Sequence, residues 1–409
     1  MIQLADKRAV AFCKRQLDIL CENGLSKKYC VEVRMPRPLM AALVIALAAT
    51  GACSDQNSDC AQVSDPEQQI HDCTSIIERG KRESEGNRAS AYYSRGNAYK
   101  EKGKLDRAIA DYTNAIALKP KDADLYYNRG NAYDDRGEVN HAIEDYTEAI
   151  AIDPKLALAY TNRGVAYKKK GEVDRAIADH DNAIAIDPKF ALAYSNRGAA
   201  YYRKDEVDRA IADYTKAIEI DPKRALAYYN RGVAYYYRKG DVDRAIADYA
   251  KAIALDPKDA DFYYNRGAAY YRKGEVDLAI GDYTKTIAID SNYAKAFTNR
   301  GTAHALKGEG DHAIEDWTRA IALNPKDALA YNNRGIAYKK KGDVGRAIAD
   351  HDKAIAIDPN YAKAYSDRGA AYAERGDVDR AIADFRKALA IDPSNQLATN
   401  NLKALGVTP

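Results

Sequence analysis

The side chains in this sequence best suited to recognition are cations and aromatics that return at a near-constant spacing: Lys168 and Lys169, Tyr202 and Arg203, Tyr236 with Arg238, and Tyr271 with Arg272. A cation beside a phenol ring offers charge, hydrogen-bond donors and a flat apolar surface together. Tyr and Arg are concentrated at binding hot spots, and the combination suits an acidic or carboxylate-bearing extended peptide. Two further charges recur nine times each, an arginine from Arg95 to Arg368 and an aspartate from Asp111 to Asp384. A binding site would not need the same pair in every copy, so these are expected to form a structural ladder. Such pairs add geometric specificity if buried and bidentate and contribute little if exposed.

No catalytic constellation accompanies them. The six histidines are scattered, and His180 and His351 fall where an aromatic otherwise stands, so a packed or hydrogen-bonded ring is expected there. Each precedes an aspartate, but a lone His-Asp step lacks the further ligands of a metal site. No Gly-rich phosphate loop follows a strand. The chain therefore reads as non-enzymatic, with no cofactor and no metal. Cys13, Cys21, Cys30, Cys53, Cys60 and Cys73 all precede the repeats. If Cys53 is modified, Cys60 and Cys73 remain as a pair that an oxidising compartment would join. Metal binding is the other reading, without His or Cys at ligand spacing to support it.

The elements that position these residues are repeats. A phrase of 34 residues recurs nine times over residues 89–395, with units starting at Ala89, Ala123, Ala157, Ala191, Ala225, Ala260, Ala294, Ala328 and Ala362. A period of that length means a solenoid of stacked supersecondary units. The first unit carries Tyr92, Gly96, Tyr99, Ala108, Tyr112, Ala115 and Pro120, and the second Tyr126, Gly130, Tyr133, Ala142, Tyr146, Ala149 and Pro154. Gly96 and Ala108 are expected where the two helices of a unit cross, with Tyr99 and Tyr112 filling the space. Gly103 is expected in the left-handed region just after the first helix, a place Asp205 takes in the fourth unit. Pro120 would end the second helix and suit the first turn of the next.

This set of positions resembles the tetratricopeptide repeat family over roughly three quarters of the chain. The resemblance implies an all-α, right-handed superhelical solenoid of helix-turn-helix units and a protein or peptide partner. Its concave groove would be lined by first-helix positions that include the cation and aromatic pairs above. Some members hold chaperone tails through a carboxylate clamp; Asn97 and Asn128 match it here, but Tyr93, Leu158 and Asn162 replace its lysines and arginine. Chaperone-tail binding is not expected. The alternative function is a structural module that self-assembles into homo-oligomers.

The N-terminus reads as a targeting segment. Residues 1–34 have the look of an upstream extension, Met35 of a start, and residues 35–52 of a signal peptide, with basic Arg34 and Arg37 before the uncharged run Leu39–Ala52 that is too short to span a bilayer. Thr50-Gly51-Ala52-Cys53 resembles the lipobox of bacterial lipoproteins, with Thr50 where leucine is usual. A Cys53-lipidated, membrane-tethered form, a cleaved soluble form and an uncleaved anchor stay open, and all three place the repeats outside the cytoplasm, in the periplasm or at the outer membrane. Residues 53–64 form a linker, 65–88 a half-repeat helix and loop, and 396–409 a capping helix.

The formal charge is +3, but residues 1–52 carry eight Lys/Arg against four Asp/Glu, leaving 55 positive and 56 negative side chains elsewhere. That balance gives no footprint for nucleic-acid binding. Two units are irregular. The fifth has one extra residue within Tyr235–Gly240, which a bulge or a longer turn must absorb. At the junction of the sixth and seventh, Thr286, Ser291, Phe297, His304, Gly310 and Trp317 depart from the repeat, and Ser291 and Gly310 are expected to weaken it.

Overall fold

The computed structural model describes residues 59–408, in which every regular element is helical. The signal segment and Cys53 lie outside the described residues. The described residues divide into two bodies, 59–118 and 119–408.

In the first body, α1 (Asp59–Gln62) and α2 (Pro66–Glu78) precede α3 (Glu85–Glu101) and α4 (Leu105–Leu118), the two helices of unit one. Asp65 caps α2, its carboxylate accepting from the Gln68 amide at 2.8 Å, and Pro66 opens the helix, where its missing N–H costs nothing. Cys73 is fully buried at the place that an aromatic takes in each full unit. Arg95 Nη1 donates to Thr74 Oγ1 at 2.9 Å, the link that Arg163 makes to Thr147 two units later at 3.0 Å. Thus α2 stacks as a lone second helix. Cys60 on α1 is bonded to Cys73 across a Cα–Cα distance of 5.3 Å, and with Ile76 and Ala91 they form the buried cluster at this end.

In the second body, units two to four are α5 (Ala123–Asp135) with α6 (Val139–Ile152), α7 (Ala157–Lys169) with α8 (Val173–Ile186), and α9 (Ala191–Arg203) with α10 (Val207–Ile220). Unit five pairs α11 (Ala225–Ala234) with α12 (Val242–Leu255), and unit six α13 (Ala260–Lys273) with α14 (Val276–Ile289). Units seven to nine are α15 (Ala294–Leu306) with α16 (Gly310–Leu323), α17 (Ala328–Lys340) with α18 (Val344–Ile357), and α19 (Ala362–Glu374) with α20 (Val378–Ile391). The closing helix α21 (Gln396–Ala404) buries Ala398 and Leu402 against Phe385.

Each unit closes over one ring. A Cβ at Gly198 would stand 2.9 Å from Tyr214 Cε1 and 3.2 Å from the Ala210 carbonyl oxygen, and the same crowding recurs at Gly164 against His180 and Gly301 against Trp317. Glycine is needed because the ring of the second helix lies on the backbone of the first. The second aromatic does not share that space: Tyr99 is half-buried, flanked by the Arg95 and Arg107 guanidiniums at 5.8 and 5.6 Å.

The left-handed closures form as the sequence requires, with φ +67° at Gly103 and +63° at Asp205. The proline position differs from expectation: helices end at the preceding aspartate, and Pro154 lies in the turn before α7 and outside its first turn. Asp153 shapes that turn, accepting from the Lys155 amide at 2.9 Å. Asp290 does the same for Asn292 at 2.9 Å, so the turn forms with Ser291 in place of proline. The buried Thr286 hydroxyl is satisfied by the Asp282 carbonyl at 3.0 Å. In unit five the extra residue becomes one π-helical turn, Tyr235–Lys239, closed by Gly240 at φ +68°.

Candidate functional site

In the second body the first helices of consecutive units approach one another more closely than the second helices do, which puts the first helices on the inner side of the curve. A polar seam joins them. Asn162 donates to Tyr127 Oη at 3.2 Å and Asn131 Oδ1 at 2.8 Å, Asn265 to Tyr229 Oη at 3.0 Å, and Asn299 to Tyr264 Oη at 3.1 Å. Of the clamp-like positions, Asn97 accepts from Tyr112 Oη at 2.7 Å and Asn162 belongs to this seam.

The cation and aromatic pairs sit at the C-terminal ends of these helices and reach from unit to unit. Arg203 Nη1 donates to the Lys168 carbonyl at 2.9 Å, and Arg272 Nη1 to the Tyr236 carbonyl at 3.3 Å, with its guanidinium 5.3 Å from the Tyr236 ring centroid. Each caps the carbonyl-rich end of the preceding first helix, where positive charge is favoured. Arg238, displaced by the π turn, lies 5.2 Å from the Tyr202 ring centroid and 3.1 Å from Asp205. Lys169 pairs with Asp134 at 2.7 Å. Lys168 is half-buried, and desolvation, with Arg203 and Lys169 nearby, holds its ammonium below the usual lysine range. Tyr271 is half-buried on α13.

These residues are therefore brought together, but they divide in role. Lys169 and Arg238 are neutralised by carboxylates. Among the described residues, Lys168, Arg203 and Arg272 pair with no carboxylate: Arg203 bonds the Lys168 carbonyl, Arg272 the Tyr236 carbonyl and ring, and the Lys168 ammonium has only the like charges of Arg203 and Lys169 beside it. Tyr236 is half-buried, its hydroxyl 3.3 Å from the Ala268 carbonyl. Tyr237, which stands edge-on to it at 4.6 Å, is 55% exposed. The extra residue in unit five was the sequence signal for it.

The arginine–aspartate ladder is bidentate. Arg163 Nε and Nη2 reach the two oxygens of Asp179 at 2.8 Å each, and the geometry repeats through Arg368 and Asp384 at 2.8 and 2.7 Å. The aspartates are buried, so the pairs hold helices together and face no ligand. His180 has no partner on either ring nitrogen, and His351 Nδ1 meets Asn332 Oδ1 at 2.9 Å. Burial pushes them down to about 3 and about 4 respectively. Sequence reasoning missed one convergence: His304, Glu309 and His312 bring donor atoms within 4.8 Å of one another.

Family models described as TPR repeat match residues 96–135, 130–171, 166–205, 236–274 and 303–342, and models described as tetratricopeptide repeat match 191–224, 213–247, 260–293, 328–361 and 362–395. The chain belongs to the tetratricopeptide repeat family. Such repeats build protein–protein interaction scaffolds that are generally non-catalytic, and this tetratricopeptide repeat chain has the scaffold's architecture throughout its described units. No curated protein matches it. Among solved structures, YrrB, a TPR protein with an unusual peptide-binding site, is 28% identical over 45% of this chain and 95% of its own, with a TM-score of 0.41. MamA is 34% identical over 40% of this chain and 94% of its own, with a TM-score of 0.38. Pseudomonas aeruginosa pilF is 20% identical over 53% and 97%, with a TM-score of 0.47.

Proposed function

We propose that this protein is a non-enzymatic scaffold of the bacterial envelope that holds an acidic, extended segment of a partner protein along the first helices of units three to six. The observation that carries this reading is the shared orientation of Arg203 and Arg272. Each is pinned by its own helix-capping bond, so its charge is pre-placed and uncompensated, which lowers the ordering cost of binding. Lys168 adds a third such charge and Tyr237 an exposed ring. The address is supported by the Leu39–Ala52 run before Cys53 and by the Cys60–Cys73 bond. On this reading Cys53 takes a lipid and tethers the ribbon.

Replacement of Tyr237 by a photocrosslinking amino acid, in envelopes of producing cells, tests the site. The expected product is one dedicated partner whose crosslinked peptide is acidic, lost when Lys168, Arg203 and Arg272 are changed together to glutamate. An unchanged product in that triple variant would overturn the site, and a crosslink to a second copy of this chain would replace the reading by self-assembly. Cys53→Ala is expected to abolish lipid labelling and release the protein to the soluble periplasmic fraction; membrane association unchanged would remove the tether.

A further inference from the structure

In most units the first helix and the start of the second are fastened by three side chains. A tyrosine stacks on an arginine, and an acid at the start of the second helix pairs with that arginine. In unit three the Arg175 guanidinium lies 4.0 Å from the Tyr167 centroid and 2.6 Å from Glu172. In unit eight Arg346 lies 4.3 Å from Tyr338 and 2.5 Å from Asp343. Unit seven keeps the acid and changes both of its partners, with His304 for the tyrosine and His312 for the arginine. The two imidazoles lie with centroids 5.3 Å apart and their planes tilted by 48°, and His304 Nδ1 is 2.5 Å from Glu309 Oε2. A stack that elsewhere ends in a fixed positive charge becomes a set of three donors.

We infer that His304, Glu309 and His312 bind a borderline divalent transition-metal ion, with zinc the best match. Two imidazoles and a carboxylate are the ligand types that zinc accepts, at about 2.0–2.2 Å, with a fourth position left for water. Donors on one tetrahedral ion stand roughly 3.4 Å apart at those bond lengths. The three donors are already within 4.8 Å, and His312 is exposed, so one rotamer change on the surface closes the set. Nearby charges are compatible: Lys307 occupies the other Glu309 oxygen at 2.9 Å while shared with Asp277, and Asp316, held by Arg300, lies 4.0 Å from His304 Nε2. Unit two is the natural control. His141 there is 2.9 Å from Glu138, but Tyr133 stands where His304 would be, which leaves only two donors.

The test uses the full chain without an affinity tag, stripped with a chelator, and Co2+ as a visible probe that Zn2+ should displace. The wild type is expected to bind one more Co2+, with visible ligand-field bands, than His312→Arg, which restores the arginine found at this place in units three, four, five, eight and nine. Thiol ligation by the N-terminal cysteines is common to both chains and cancels. Glu309→Gln is expected to weaken the same binding at least about tenfold, and His141→Arg to leave it unchanged, with the circular dichroism of all variants confirming the fold. Equal Co2+ uptake by wild type, His312→Arg and Glu309→Gln, or an equal loss in His141→Arg, overturns the site.

Discussion

Arg197 grips both carboxylate oxygens of Asp213, through Nε at 2.8 Å and Nη2 at 2.7 Å, and its remaining Nη1 reaches Asp181 on the preceding unit at 2.6 Å. One guanidinium thus closes its own unit and fastens that unit to the one before. The Asp213 side chain is only 9% exposed, and leaving a buried partner unpaired is costly. Asp213→Ala is expected to destabilise the array by about 3 kcal/mol in urea melts. Glu206→Ala, which breaks the exposed Arg209 pair, should shift the midpoint little. Equal shifts for the two variants would deny the ladder its structural role.

Glycine positions should respond with opposite signs. Gly198→Ala drives a methyl against the Tyr214 ring and the Ala210 carbonyl and is expected to cost about 1–3 kcal/mol. Gly310→Ala meets nothing within 4 Å and should stabilise by about 0.5–1 kcal/mol through the unfolded chain. Hydrogen exchange over residues 286–312 reports the same change locally, slowing in Gly310→Ala if this position is the weak point between units six and seven.

Acid should loosen the array through His180. Burial, then the charges of Lys168 and Arg197, push it down from 6.5 to about 3, so between those values the unfolded chain binds a proton that the folded chain refuses. Its stability contribution is complete above about pH 6.5 and is lost progressively as pH falls towards about 3, by on the order of a few kcal/mol at the foot. His351, down to about 4, acts in the upper part of that window. His180→Tyr, the phenol of the neighbouring units, should flatten melting temperature against pH; an unaltered slope in the double variant with His351→Tyr would count against the mechanism.

Reduction of Cys60–Cys73 should act locally. The bond closes a sequence separation of 13 residues, for which the chain-entropy account gives about 3 kcal/mol. Faster exchange is expected over residues 59–78, with units of the second body unaffected. Both thiols reacting with maleimide in denatured, unreduced protein would show that the bond is absent.

Much of this architecture was legible in the sequence because each repeated residue answers to one local requirement. Gly103 and Asp205 mark left-handed closures, Asp65 and Pro66 mark a helix start, and the extra residue near Tyr236 had to be absorbed by a bulge or a longer turn, of which the π-helical turn is the first. Contacts made between units were less legible. That Arg203 and Arg272 turn back to a carbonyl of the preceding helix depends on how far one unit is rotated on the next, which no spacing encodes. Residue type does not separate Tyr99 from Tyr112, yet only Tyr112 packs against Gly96 at the helix crossing while Tyr99 stays half-buried. His304, Glu309 and His312 converge across a turn, so no single helical period relates them. Alignment of the nine units would have revealed them, since the tyrosine and arginine they replace stack in other units.

The bond from a ladder arginine to the preceding second helix, as Arg231 makes to Thr215 and Arg300 to Thr284, has no counterpart among the described residues for Arg266, because Ala250 stands where its acceptor would be. That junction, between units five and six, is held on the other side by Tyr236 and Arg272. Substitutions at Tyr236 or Arg272 therefore reach the fastening between these two units as well as the groove surface, so a binding loss in such variants reports on both.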